Sequence, residues 1–129
     1  MILNLIIALG ISILFTETPV IHCDYANAFG CYYPNKKIVY LVYQSEDLNY
    51  ALYHELGHII FDKDKNIKKI IFHYKPLKNY EFYSINGFDV INEKVADYFA
   101  EYNLYNKEFS VKYPVLYIYF RNRVNKILK

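Results

Sequence analysis

The strongest constraint in this sequence is one five-residue segment, His54-Glu55-Leu56-Gly57-His58. It has the form H-E-x-x-H, and in an α-helix two histidines at this spacing lie on the same face. Neutral imidazole nitrogens bind Zn²⁺ at about 2.0–2.1 Å, so the segment predicts a helix that supplies two ligands to one zinc ion. Glu55 lies beside the first ligand, where its carboxylate can accept a proton from a zinc-bound water. The alternative is a surface helix on which two histidines occur by chance.

A second helix, predicted over about residues 90–105 with Asp89 as its N-cap, offers a third ligand. A catalytic zinc site has three protein ligands and an open position. Glu93 and Asp97 lie on one face of this helix, so Glu93 can complete a His₂Glu site while Asp97 accepts a hydrogen bond from a ligand histidine. A second register stays open, in which Asp97 binds zinc and Glu101 supports it.

Two small residues predict that these helices pack closely. A glycine inside a helix costs about 1 kcal/mol relative to alanine, so we expect a packing reason for Gly57. Ala96 is small enough to let the second helix approach the first. Close packing would bring the third ligand to the two histidines.

Length and composition limit the fold and the partners. The chain has 129 residues, of which 54% are hydrophobic and 22% are charged, enough for one small domain with a packed core. The formal net charge is only +2 and no basic face is evident, which disfavours nucleic-acid binding. The sequence does not predict an oligomeric state.

Local patterns predict a small α+β domain. A short, mostly antiparallel sheet would pack on the H-E-x-x-H helix, with the Glu93 helix behind the zinc and a C-terminal helix closing one side. The H-E-x-x-H helix is predicted to begin after Ser45, its N-cap, and to end near Phe61. The other predicted elements are, in chain order, a strand at 37–43, a loop at 62–69, short strands at 70–74 and 80–85, and a helix from Pro114 to about Leu128.

An apolar run at residues 2–15 begins the chain. It is short for a membrane span, which needs roughly 20 residues, but its length suits the central region of a signal peptide. We therefore expect residues 1–20 to be a signal peptide or N-terminal anchor ahead of a domain at 21–129 that carries the zinc site. Secretion, or a membrane tether through residues 1–15, follows from this expectation. No Lys or Arg precedes the run, so the alternative is a buried strand or helix of a cytoplasmic protein.

Two cysteines, Cys23 and Cys31, are too far apart in sequence to form a CxxC metal pair. They can form a disulfide bond if the protein is exported and stay free thiols if it is not.

The two metal-site segments together resemble a known group of enzymes. H-E-L-G-H, followed about 35 residues later by Glu93-Lys94-Val95-Ala96-Asp97 (E-x-x-A-D), is similar to the gluzincin zinc peptidases, typified by thermolysin. Three branches of this group share further features with the chain. The stretch from residue 27 to H-E-L-G-H is similar to peptidases of the HtpX type, and the order of strand, H-E-L-G-H and residues 93–100 resembles the ImmA/IrrE family. Residues 98–101 and 109–120 resemble anthrax lethal-factor-like peptidases.

The resemblance implies a zinc-dependent endopeptidase that acts on peptides or proteins. It places His54, His58 and Glu93 on zinc, Glu55 as the general base, and Asp97 as an outer hydrogen-bond partner.

These families often add a Tyr or His that stabilises the tetrahedral oxyanion. Tyr83 is our candidate for this role, with Tyr80 and His73 as further possibilities. The alternative functions are a non-catalytic binding module, toxin- or phage-associated, in which zinc mainly stabilises the fold, and a latent enzyme whose N- or C-terminal segment covers the cleft.

Overall fold

The structure, a computed structural model, describes residues 2–17, 30–42, 47–77, 80–85 and 87–129. Its elements are α1 (Ile2–Leu9), β1 (Ser12–Thr16), β2 (Gly30–Tyr33), β3 (Ile38–Val42), α2 (Leu48–Phe61), α3 (Lys65–Ile71), α4 (Tyr80–Ile85), α5 (Val90–Leu104), α6 (Asn106–Lys112) and α7 (Pro114–Leu128). The predicted α+β class is confirmed. Within these ranges, no helix combines the length and apolarity needed to cross a membrane.

The three described strands form one sheet in the order β1-β3-β2. β1 pairs with β3 in parallel, and β2 pairs with β3 antiparallel. The strand predicted at 37–43 is therefore the central one. The sheet is mixed, whereas we expected a mostly antiparallel one, because the apolar run at the start of the chain supplies β1.

That apolar run forms α1 and most of β1. Leu5 is fully buried and Ile11 belongs to the same hydrophobic core, while Leu3 and Ile7 are exposed. These residues thus contribute to the packed domain. The assignment of residues 1–20 as a signal peptide or anchor stays a prediction.

Cys31 lies on β2 and is disulfide-bonded in this structure. Its predicted partner, Cys23, lies outside the described residues.

The interior where α2, α5, α6 and α7 meet is largely aromatic. Phe61, Phe99 and Phe120 lie with their ring centroids 5.1–5.4 Å apart, and Phe109 extends the cluster. Tilted and edge-to-face pairs at such distances are favourable for aromatic rings. Because α7 supplies Phe120 to this core, a chain truncated before α7 would lose core packing. We therefore do not expect such a truncation to activate the chain, as it would if the C-terminal segment only covered the cleft of a latent enzyme.

The helices α2 and α5 approach each other at Gly57. A Cβ added at Gly57 would lie 2.9 Å from Cα of Ala96 and 3.2 Å from Cβ of Phe99. Such contacts leave no room for a methyl group. The predicted packing role of Gly57 and Ala96 is therefore confirmed.

Gly57→Ala is expected to lower the free energy of unfolding by about 1 kcal/mol. The added methyl would clash with the α5 backbone, and the overpacking cost of about 1–3 kcal/mol exceeds the gain in helix propensity of about 1 kcal/mol. Urea unfolding of the full chain measures the change. Asn49→Ala, at an exposed position of the same helix, is the matched control and should not destabilise. Equal stability of Gly57→Ala and the parent would contradict the close approach.

Three local predictions were wrong, namely the loop at 62–69 and the strands at 70–74 and 80–85. Residues 65–71 are helical, although we expected a loop and then a strand, because Asp64 caps α3 by accepting hydrogen bonds from the backbone N–H groups of Asn66 and Ile67. Residues 80–85 form α4, although their aromatic content suggested a strand. Phe82 and Tyr83 pack on Phe88 instead of extending the sheet.

The predicted end of α2 near Phe61, the Asp89 cap of α5 and the start of α7 at Pro114 are all confirmed. The N-cap residue of α2 is Asp47. Ser45, the predicted cap, lies outside the described residues.

Asp64 also joins α3 to α7, because the Tyr119 hydroxyl contacts both of its carboxylate oxygens, at 2.8 and 2.7 Å. Burial and this hydrogen bond raise the pKa of Tyr119 to about 12, above its ordinary value of 10. The folded state thus favours the protonated phenol. The contribution of Tyr119 to the free energy of unfolding is complete below pH 10 and is lost as the pH rises through 12.

Tyr119→Phe is accordingly expected to lower the free energy of unfolding by about 1 kcal/mol at pH 7, since it removes a hydrogen bond to a charged group at a partly exposed site. The difference from the parent should vanish between pH 10 and pH 12. Urea unfolding at a series of pH values measures it, with Tyr105→Phe, at an exposed position, as the control. A pH-independent difference would show that Asp64 is not its source.

Candidate metal centre

One side-chain atom from each of three residues converges at the contact of α2 and α5. Nε2 of His54 and Nε2 of His58 are 3.1 Å apart. Oε2 of Glu93 lies 2.8 Å from the first nitrogen and 3.1 Å from the second. His54 and Glu93 are buried, and His58 is half-buried. The helical spacing in α2 and the close approach of α5 together produce this arrangement.

The spacing of these atoms fits a metal ion. Ligand atoms at about 2.0–2.1 Å from a tetrahedral ion lie roughly 3.3 Å from one another. The three observed separations, 2.8–3.1 Å, are only slightly shorter. His54, His58 and Glu93 could therefore hold a metal ion after a small outward movement.

Each histidine has an acidic partner on its other ring nitrogen. Nδ1 of His54 lies 2.8 Å from Oδ1 of Asp97, and Nδ1 of His58 lies 2.8 Å from Oδ1 of Asp62. Because a carboxylate only accepts hydrogen bonds, both Nδ1 atoms carry the proton, and in a neutral ring Nε2 then has a lone pair. Two lone pairs and a carboxylate oxygen thus point at one another, which is favourable only with positive charge between them.

The pKa values express the same preference for positive charge. Burial lowers the pKa of His54, but its hydrogen bonds to Asp97 and Glu93 outweigh burial and raise it to about 9. For His58 too, burial lowers the pKa, while Asp62 and Glu93 raise it well above its ordinary value. Burial raises the pKa of Glu93, but the two histidines bring it down to about 2. Either protons or a metal cation can supply the positive charge that stabilises the cluster of His54, His58 and Glu93.

Glu55 is close to the cluster without belonging to it. Its side chain is buried, with 9% of the residue exposed, and lies beside Gly30 of β2. Burial raises the pKa of its carboxyl, and the nearby charges of His58 and His54 act in the opposite direction. Among the described residues, no hydrogen-bond donor occupies its carboxylate. A buried carboxyl of this kind can exchange a proton with a bound molecule.

Glu93 and Asp97 approach opposite sides of the His54 ring. Glu93 lies at Nε2, with the atoms of the cluster, and Asp97 lies at Nδ1. This is the arrangement expected for the first register. In the second register, Asp97 would have to lie on the Nε2 side, and Glu101 would have to support it.

Tyr83, the predicted oxyanion stabiliser, packs against His54. The two rings are nearly parallel, with centroids 6.1 Å apart, and the Tyr83 hydroxyl lies 3.5 Å from Oδ1 of Asp97. Its role stays a prediction. Of the other two candidates, Tyr80 is exposed and His73 packs edge-to-face on Phe72.

Sequence reasoning missed two residues of the site, Tyr50 and Asp62. The Tyr50 hydroxyl donates to Oδ1 of Asp97 at 2.5 Å, and burial together with Asp97 raises the pKa of Tyr50. Tyr50 precedes His54 by four residues, and Asp62 follows His58 by four. Residues at this spacing lie on one helix face, so spacing could have identified Asp62 as the partner of His58. The contact of Tyr50 with Asp97 joins two helices, and spacing within one helix does not show it.

No protein-family model matches this chain, and the searches of curated proteins and of solved structures also find no match. The H-E-x-x-H motif and the geometry of the site are therefore what indicates a function for this chain.

Proposed function

We propose that this chain is a zinc-dependent metalloendopeptidase of the gluzincin type, acting on peptide or protein substrates. The observation that carries the proposal is the convergence of His54 Nε2, His58 Nε2 and Glu93 Oε2 within 3.1 Å of one another. Two imidazoles and one carboxylate form a ligand set that is characteristic of catalytic zinc, and the buried Glu55 lies beside them.

The proposed roles follow from the position of each side chain. His54, His58 and Glu93 would hold the zinc ion, which when bound polarises a carbonyl group and makes water more acidic. Glu55 would accept a proton from the attacking water molecule and then donate it to the leaving amine. Asp97 would keep His54 in the tautomer whose Nε2 faces the centre.

The test is metal analysis of the full chain, followed by a peptide-library digest with and without a chelator. We expect one zinc per chain, cleavage that stops on chelation, and its return on adding Zn²⁺. His73→Ala is the matched control, because it removes a histidine outside the cluster and should leave zinc content unchanged. Zinc without cleavage would favour the non-catalytic binding module. A chain that takes up no zinc would contradict both functions.

A further inference from the structure

We infer that Tyr50 is a positioning residue of the metal centre, whose hydroxyl holds the Asp97 carboxylate in the orientation that accepts the Nδ1–H of His54. The inference rests on the proposed zinc-binding function. Tyr50 lies in the first turn of α2 and belongs to neither H-E-L-G-H nor E-x-x-A-D.

The hydrogen bonds at Asp97 carry the inference. Oδ1 of Asp97 accepts from the Tyr50 hydroxyl at 2.5 Å and from Nδ1 of His54 at 2.8 Å. Asp97 is only 1% exposed, so water has little access to compete for this oxygen. Two donors from one helix therefore set the rotation of a carboxylate that belongs to another helix.

Tyr50 also lies beside His54, the metal-binding histidine that Asp97 contacts. It lies one helical turn before His54, and the two rings are 27° from parallel with centroids 6.1 Å apart. The hydroxyl of Tyr83 reaches the same oxygen only at 3.5 Å. Tyr50 is thus the closer of these two phenols and the stronger donor to Asp97.

Loss of the Tyr50 hydroxyl would leave Oδ1 of Asp97 with one close donor fewer in a buried site. The carboxylate could then rotate, and the ring of His54 would be held less firmly with Nε2 toward the centre. Outer partners of metal-binding histidines typically change metal affinity by about 10- to 100-fold. We expect Tyr50 to act at the lower end of that range, because it acts through Asp97.

The experiment measures Zn²⁺ affinity by competition with a chelating dye. The full chain is compared as the parent, Tyr50→Phe, Asp97→Asn and the double variant, with Tyr53→Phe on the same helix as the control. We expect Tyr50→Phe to weaken zinc binding by about 10-fold, and Tyr53→Phe to leave it unchanged. In the Asp97→Asn background, Tyr50→Phe should have no further effect. Circular dichroism of the metal-free proteins checks that phenylalanine, which keeps the ring, preserves the fold.

A structural role for Tyr50 predicts different results. If the parent binds zinc and Tyr50→Phe binds it equally well, this inference fails and the proposed function stands. If the effects of Tyr50→Phe and Asp97→Asn are fully additive, Tyr50 does not act through Asp97, and the inference fails again. A parent chain that binds no zinc overturns the proposed function and this inference together.

Discussion

Glu93→Gln is expected to lower zinc affinity by more than about 100-fold, the upper end of the range for outer hydrogen-bond partners, because it removes a direct ligand. The neutral amide keeps the size of the side chain but loses the negative charge that lies 2.8 and 3.1 Å from the two Nε2 atoms. Competition with a chelating dye measures the affinity, and metal content after desalting gives an independent value.

The controls for this prediction separate the two registers. Glu101→Gln lies on the same helix and should leave zinc affinity unchanged, and Asp97→Asn should reduce it by about 10- to 100-fold. If Glu93→Gln retained zinc while Asp97→Asn and Glu101→Gln both lost it, the second register would be the correct one.

Glu55→Gln is expected to retain zinc and to lower the rate of peptide cleavage by about 10²- to 10⁴-fold. Glutamine preserves the shape of a side chain that is 9% exposed, but it cannot accept a proton from water at the pH of the reaction. The measurement combines turnover of a peptide selected from the library with the zinc content of the same sample.

Glu81→Gln, at an exposed position on α4, is the matched control for removing one carboxylate, and it should cleave at the parental rate. Cleavage by Glu55→Gln at the parental rate would exclude Glu55 as the general base. Loss of zinc from Glu55→Gln would instead assign it a structural role at the centre.

The elements that carry the site were predictable because local signals define them. The histidine spacing and the Asp89 cap placed α2 and α5, and Gly57 and Ala96 indicated their close contact. The Asp64 cap of α3 was an equally local signal, but the charged residues around it suggested a solvated loop.

Long-range contacts were not predictable in the same way. The parallel pairing of β1 with β3 joins segments more than 20 residues apart, and nothing in the apolar run specifies that partner. Tyr50 is one of 16 tyrosines, and its role emerges only when α5 brings Asp97 to its hydroxyl. Helical spacing alone could have identified Asp62 as the partner of His58.

The metal cluster has one further consequence, because two of its ligands lie on α2 and the third on α5. A bound ion would act as a crosslink between two helices that already pack so closely that a Cβ at Gly57 would clash with Ala96. An ion that binds only the folded chain raises the free energy of unfolding by about 4 kcal/mol when its free concentration is 1,000 times its dissociation constant. Metal availability would then set the fraction of chains that is folded, and any change that separates the two helices would also release the ion.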